Sequence, residues 1–145
     1  MNFVKKSSAF SMIEILVVVF IIGLLATLVG PNIVKLMTRG QRSAAQSTIN
    51  SLKAALADYR MDTGTLPSQR EGLQALVQNL NNNPKWNGSY LEGQNEVPKD
   101  PWGNDYVYNK PPQVFTNKYK TYEVYSYGSE EGQDNPQNKW IHAGS

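Results

Sequence analysis

Residues 5–34 read KKSSAFSMIEILVVVFIIGLLATLVGPNIV, and the order of features in that stretch decides how the rest of the chain is read. From Phe10 to Val34 the side chains are predominantly apolar over about 25 positions, enough for a helix to cross a hydrocarbon layer of about 30 Å. One carboxylate, Glu14, interrupts the run. An ionisable group in such a segment costs on the order of 2.5–3.5 kcal/mol on insertion scales, so it calls for a counter-ion. The small residues Ser7, Ser8 and Ala9 precede the apolar run, whereas a secretory signal carries its small-residue cleavage site after it. Scission after Ala9 therefore keeps the helix on the mature chain and turns the α-amine of Phe10 into a cation about one helical turn from Glu14. Copies stacked with a shift of about one turn would set Glu14 of one chain beside the Phe10 amine of the next, and one register would be strongly favoured, because each charge left alone in hydrocarbon is costly.

The stretch from Ala9 to Leu16 resembles the processing signal of the type IV pilin and pseudopilin superfamily: a basic leader, a small residue, Phe, Ser or Thr, two apolar residues, and Glu. That resemblance implies a prepilin peptidase that cuts between Ala9 and Phe10 and methylates the new amine. Ala9 stands where the superfamily usually has Gly, and Met12 where Leu is commoner.

Composition sets the remaining bounds. Beyond the apolar run, a chain of 145 residues leaves room for one small polar domain. Loss of residues 1–9 removes Lys5 and Lys6 from 14 basic residues against 12 acidic ones, which leaves a neutral mature chain with no electrostatic case for nucleic acid. The absence of Cys excludes a disulfide framework and thiol chemistry. Lys5 and Lys6 favour a cytoplasmic N-terminus, while Lys35, Arg39 and Arg42 on the far flank oppose it, so charge alone leaves the orientation open.

Past the apolar run, Ile33, Leu36, Met37, Ala44, Ala45, Ile49, Leu52, Ala55, Leu56 and Tyr59 recur at three- and four-residue steps, which predicts an amphipathic helix. With Gly64 as a C-terminal cap and Pro67 as a stop, one helix is predicted from near Phe10 to near Asp62. Half of it is expected to stand clear of the domain. Ile49, Leu52, Leu56 and Tyr59 are read as packing on their own domain, and Ile33, Leu36 and Met37 as a contact surface. Pro31 after Gly30, together with Gly23, marks a weak stretch expected to bend or partly unwind when copies assemble. Ser68 and Glu71 have capping-box spacing ahead of Leu73, Ala75, Leu76, Val77 and Leu80, which predicts a second, short helix. From Trp86 onward the pattern is turns and short strands, with Tyr106–Tyr108 and Tyr119–Tyr127 rich in residues that suit a pleated sheet.

Gly64, Leu66, Pro67, Glu71, Gly72, Leu73, Ala75 and Leu76, then Trp86, Gly88, Tyr90 and Leu91, then Pro98 to Asn104 with Tyr106, are similar to the major pseudopilins of type II secretion systems. The similarity reaches to about Tyr127, and the segment from Pro98 to Tyr108 is its specific part. Pro101, Gly103 and Asn104 read as a tight turn anchored by Trp102, a structural motif. The resemblance also implies a calcium ion in the loop after the last long strand. Here Glu130, Asp134, Asn135 and the carbonyl of Tyr127 are the candidate oxygens. Glu130 replaces an expected Asp and the loop is shorter than in the family, so a solvated acidic loop held by packing stands beside the calcium reading.

Catalytic readings find little material. The single histidine, His142, lies near the C-terminus, Asp58 and Asp62 share an exposed helix face with Arg60 nearby, and no phosphate-binding glycine loop occurs. The resemblance thus implies an α+β, pilin-like protein that is not an enzyme. Its parts would be a leader at 1–9, a transmembrane and assembly helix at 10–34 whose key residues are Phe10, Glu14 and Pro31, and a periplasmic domain at 35–145. Its function would be to polymerise into a periplasmic filament that drives export of folded proteins, with minor pseudopilins, the prepilin peptidase and the inner-membrane platform as partners and calcium as the one candidate cofactor. A type IV pilus subunit for adhesion, motility or DNA uptake is the first alternative, and a membrane-tethered binding module the second.

Overall fold

A computed structural model of the chain describes residues 10–129 and 139–145; the side chains of 28–32 fall outside that description. Its main element is one helix, α1, Met12–Thr63, close to the predicted limits. Ser11 caps its start: the Ser11 hydroxyl accepts the Ile13 N–H at 3.3 Å, and its carbonyl accepts the Glu14 and Ile15 N–H groups. Gly64 closes the other end with φ +84° and its N–H donating to the Arg60 carbonyl at 2.9 Å, a conformation that a side chain would strain. Backbone helix runs through Gly23 and Pro31 without a break. Among the described residues no helix is long and apolar enough to cross a membrane.

The chain divides into two compact units, one ending at Arg39 and one from Gly40 to Ser145. In the second, Ala45, Ile49, Leu52, Ala55, Leu56 and Tyr59 form the buried stripe of α1, whereas Ala44, read as part of that stripe, is exposed. The stripe belongs to a core that includes Leu73, Leu76, Leu91, Tyr106, Tyr108, Tyr122, Val124 and Ile141.

The predicted second helix takes a different form. The capping box is present, with the Ser68 N–H donating to the Glu71 carboxylate at 2.8 Å and the Glu71 N–H donating to the Ser68 hydroxyl at 3.3 Å. The box leads into a turn and then a five-residue 3-10 helix, Gly72–Leu76. Gly72 has φ +56°, so the backbone leaves the α region one residue after the box and an α-helix cannot propagate. Trp86 donates its indole N–H to the Ala75 carbonyl at 2.9 Å, and the Tyr90 N–H donates to the Leu76 carbonyl at 2.8 Å, which fastens the segment from Trp86 to Tyr90 to this short helix.

Three antiparallel strands make the sheet, in the order β1 (Val107–Asn109), β2 (Glu123–Ser126), β3 (Ile141–Gly144). β1 is as long as the expected run at 106–108 but lies one residue later, β2 is shorter than the run at 119–127, and β3 was not foreseen at all. Tyr108 faces Val124 on β1–β2, and Val124 faces Ala143 on β2–β3, so the central strand is buried along its whole length. Gly144 at the end of β3 has no room for a side chain: a Cβ there would overlap the Tyr122 carbonyl oxygen and come within 2.6 Å of the Tyr119 ring. Gly144→Ala is therefore expected to cost about 1–3 kcal/mol, visible as a lower midpoint in thermal unfolding monitored by circular dichroism.

Candidate assembly site

The start of α1 places the predicted processing and assembly residues together. Phe10 lies two residues ahead of the helix and is 75% exposed, while Glu14 lies in the first turn, where a carboxylate also favours the positive end of the helix dipole. Ile13, Leu16, Phe20 and Leu24 are exposed beside them, on an apolar surface larger than a lone soluble chain normally carries. Among the described residues the single ion pair joins Lys99 and Asp105, so Glu14 meets no described cation of its own chain. Ala9 lies outside the described residues; Pro31 sits within the helical backbone of α1.

A second cluster surrounds the turn from Asp100 to Asn104. Asp100 is buried, and one of its carboxylate oxygens accepts the N–H groups of Trp102 at 3.0 Å and Asn104 at 2.8 Å. The other accepts the Ser126 hydroxyl of β2 at 2.6 Å. Ser126 in turn accepts the Gly128 N–H at 3.0 Å, so one carboxylate fixes both the turn and the chain leaving β2. Trp102 packs half-buried against the core, as its size suggested. Asp100 was read as part of the structural motif from Pro98 to Tyr108, but its role as the acceptor that fixes the turn was not, although an acid two and four residues ahead of turn amides is a known local pattern.

The calcium candidates divide across this boundary. Tyr127 is described, its ring edge-on to Trp140 at 4.7 Å and to Tyr125 at 5.4 Å. Glu130, Asp134 and Asn135 lie outside the described residues. Among the described residues, no group of three or more His, Cys, Asp or Glu could hold a metal.

Glu123 was also missed. It is wholly buried in β2, yet it pairs with no described cation: its carboxylate accepts the Asn109 amide at 2.7 Å and the N–H groups of Gln113, Val114 and Phe115 at 2.7–2.9 Å. Burial pushes its pKa up, but those four donors together outweigh burial and hold it below the usual carboxylate value. His142, on β3, packs against the Phe115 ring at 4.0 Å and shares a hydrogen bond with the Tyr119 hydroxyl at 2.9 Å. Desolvation and then Lys118 lower its pKa, against a smaller opposing effect of Glu123. The side chains of Asp58 and Asp62 are exposed, and Asp62 accepts a hydrogen bond from the Tyr90 hydroxyl at 3.1 Å.

Residues 32–142 match the family of type II secretion system protein G, and residues 4–30 match the prokaryotic N-terminal methylation motif. The chain belongs to the type II secretion system protein G family. It is 37% identical over 135 residues to the core protein G of Pseudomonas aeruginosa, covering 90% of this chain and 92% of that one. It is 35% identical over 129 residues to the core protein G of Escherichia coli, covering 88% and 86%. The crystal structure of the major pseudopilin from the type 2 secretion system of enterohaemorrhagic Escherichia coli superposes with a TM-score of 0.53 at 26% identity, covering 78% of this chain and 92% of that one. That likeness supports the α+β, pilin-like fold read from sequence. The methylation-motif match contains Phe10 and Glu14, and the protein G match contains the Asp100 turn and all three strands as far as His142.

Proposed function

We propose that this chain is the major subunit of a type II secretion pseudopilus, a helical periplasmic filament of many copies that drives export of folded proteins across the outer membrane. The observation that carries the reading is the exposed apolar start of α1, where Glu14 has no described partner in its own chain and Phe10 adjoins the expected scission point. Membership of the protein G family and of the methylation-motif group supports it. Processing removes residues 1–9 and methylates the Phe10 amine. The segment from Phe10 to Val34 anchors the chain in the inner membrane until assembly, with the second unit in the periplasm. Prepilin peptidase, minor pseudopilins and the inner-membrane platform are the partners, and the chain acts by assembly and not by catalysis.

Mass analysis of protein purified from membranes tests this reading. The expected species begins at N-methylated Phe10; a product that still carries residues 1–9 would remove the reading.

The loop after β2 is the proposed calcium site. Its candidate donors, Glu130, Asp134, Asn135 and the Tyr127 carbonyl, are all oxygens, which suits that ion. Asp100 and Ser126 fix Gly128 at the loop entrance. With the ion present at about a hundredfold over its dissociation constant, linkage stabilises by about 2.7 kcal/mol, and the unfolding midpoint is expected to rise by roughly 10 °C over that in chelator. An unchanged midpoint would leave the loop held by packing alone.

A further inference from the structure

Two grooves of opposite charge flank the exposed ridge of α1 within the second unit. The first, of about 640 Å³, lies beside Leu66, Tyr122 and Ser145 and carries Lys53 and Arg60 from the helix. Met61, 82% exposed, lines it too. The second, of about 540 Å³, lies between α1 and the segment around Tyr90 and carries Asp58, Asp62 and Glu92. Ala54 borders both. Helical geometry explains the separation: Lys53 and Arg60 are two turns apart on one flank, Asp58 and Asp62 one turn apart on the other, and the two pairs face nearly opposite sides of the helix. Among the described residues none of these charges is in an ion pair: the one pair there joins Lys99 and Asp105.

We infer that the basic groove at Lys53 and Arg60 receives the acidic flank at Asp58, Asp62 and Glu92 of a second copy of this chain. The inference rests on the filament reading and assigns a surface to it. Patches that complement themselves close into dimers, whereas a patch complementary to a different patch on the same molecule repeats without closing and builds filaments. Like charges would oppose the reversed arrangement, so this contact also sets which flank faces which. Ala54 and Ala57 keep the ridge between the grooves low, and Met61 supplies apolar area to bury at the contact.

The test uses the full chain in its membrane alongside the rest of the secretion machinery, with filament yield measured in sheared fractions. Lys53→Glu with Arg60→Glu, and separately Asp58→Lys with Asp62→Lys, are each expected to lower the yield about tenfold by setting like charges together. All four substitutions in one chain restore complementarity and are expected to return the yield to within about twofold of the unaltered protein. The milder pair Lys53→Gln with Arg60→Gln is expected to lower the yield and to weaken its dependence on salt. Melts of each purified variant should stay close to the parent, since all four side chains are exposed. Unaltered yield in either charge-reversed pair, or a fourfold variant that melts normally yet fails to assemble, overturns the inference. If Glu14→Ala abolishes filaments while the flank variants keep them, this surface falls alone; if the unaltered chain forms none, the filament reading falls with it.

Discussion

Glu14→Ala is expected to abolish filaments while the chain stays in the membrane and its second unit stays folded. The residue lies in the first turn of α1, far in sequence from the buried stripe that begins at Ala45, and no described group of its own chain pairs with it. Its removal therefore takes nothing from the core. In an assembled filament it would leave the Phe10 amine of the adjoining copy without a counter-ion in hydrocarbon, and breaking one side of a buried pair costs about 3–5 kcal/mol. Applied at every contact, that is a factor of roughly a hundred or more in each association step. Sheared-filament yield and cargo in the medium should fall together, and circular dichroism of the purified chain should not change. Glu14→Gln, which keeps the shape and loses the charge, is expected to behave like Glu14→Ala. Normal assembly in either variant would show that the apolar helix packs without a counter-ion.

Glu123→Ala is expected to be the most damaging single change to the fold. Truncation opens a void in the central strand and leaves the Asn109 amide and three backbone N–H groups, those of Gln113, Val114 and Phe115, without an acceptor. A buried donor left without an acceptor costs about 1–3 kcal/mol; the Asn109 amide is buried and the three backbone donors are partly so, and with the void the expected net loss is about 3 kcal/mol. For a unit of this size that lowers the melting midpoint by roughly 10–20 °C. The same carboxylate sets a pH dependence. Its pKa is lower in the folded chain than in the unfolded one, so its contribution is present above about 4.3 and is lost as pH falls through the depressed folded value. The unaltered protein should lose stability steeply below about pH 4, and Glu123→Gln, less stable at neutral pH, should show a shallower acid limb. A Glu123→Ala protein that melts with its parent would mean that the turn from Gln113 to Phe115 rearranges to find other acceptors.

How much of this was legible beforehand differs by element. The limits of α1 were readable because its signals are local: an apolar period that starts near Phe10, and Gly64 and Pro67 at the end. The capping box at Ser68 and Glu71 is formed, yet it opens a 3-10 turn and not an α-helix, since the positive φ of Gly72 sets the path beyond the box and a glycine is compatible with either outcome. β3 went unseen because four residues ending in Gly144 carry almost no strand signal of their own; they are a strand only because β2 offers them an edge. The reach of Asp100 to Ser126 and the role of Glu123 went unread because nothing in a linear chain shows that donors from separate segments converge on one carboxylate.

The amino-acid sequence alone determined the family, the expected scission point before Phe10, the lone acid at position 14 and the long helix, because each is written in neighbouring residues whose spacing reflects helix geometry and the cost of charge in apolar surroundings. Tertiary structure alone decided which carboxylates are buried and satisfied and which strand completes the sheet. Those properties depend on where distant segments land against one another, and the free energy that places them there comes from burial and convergent hydrogen bonds over the whole second unit.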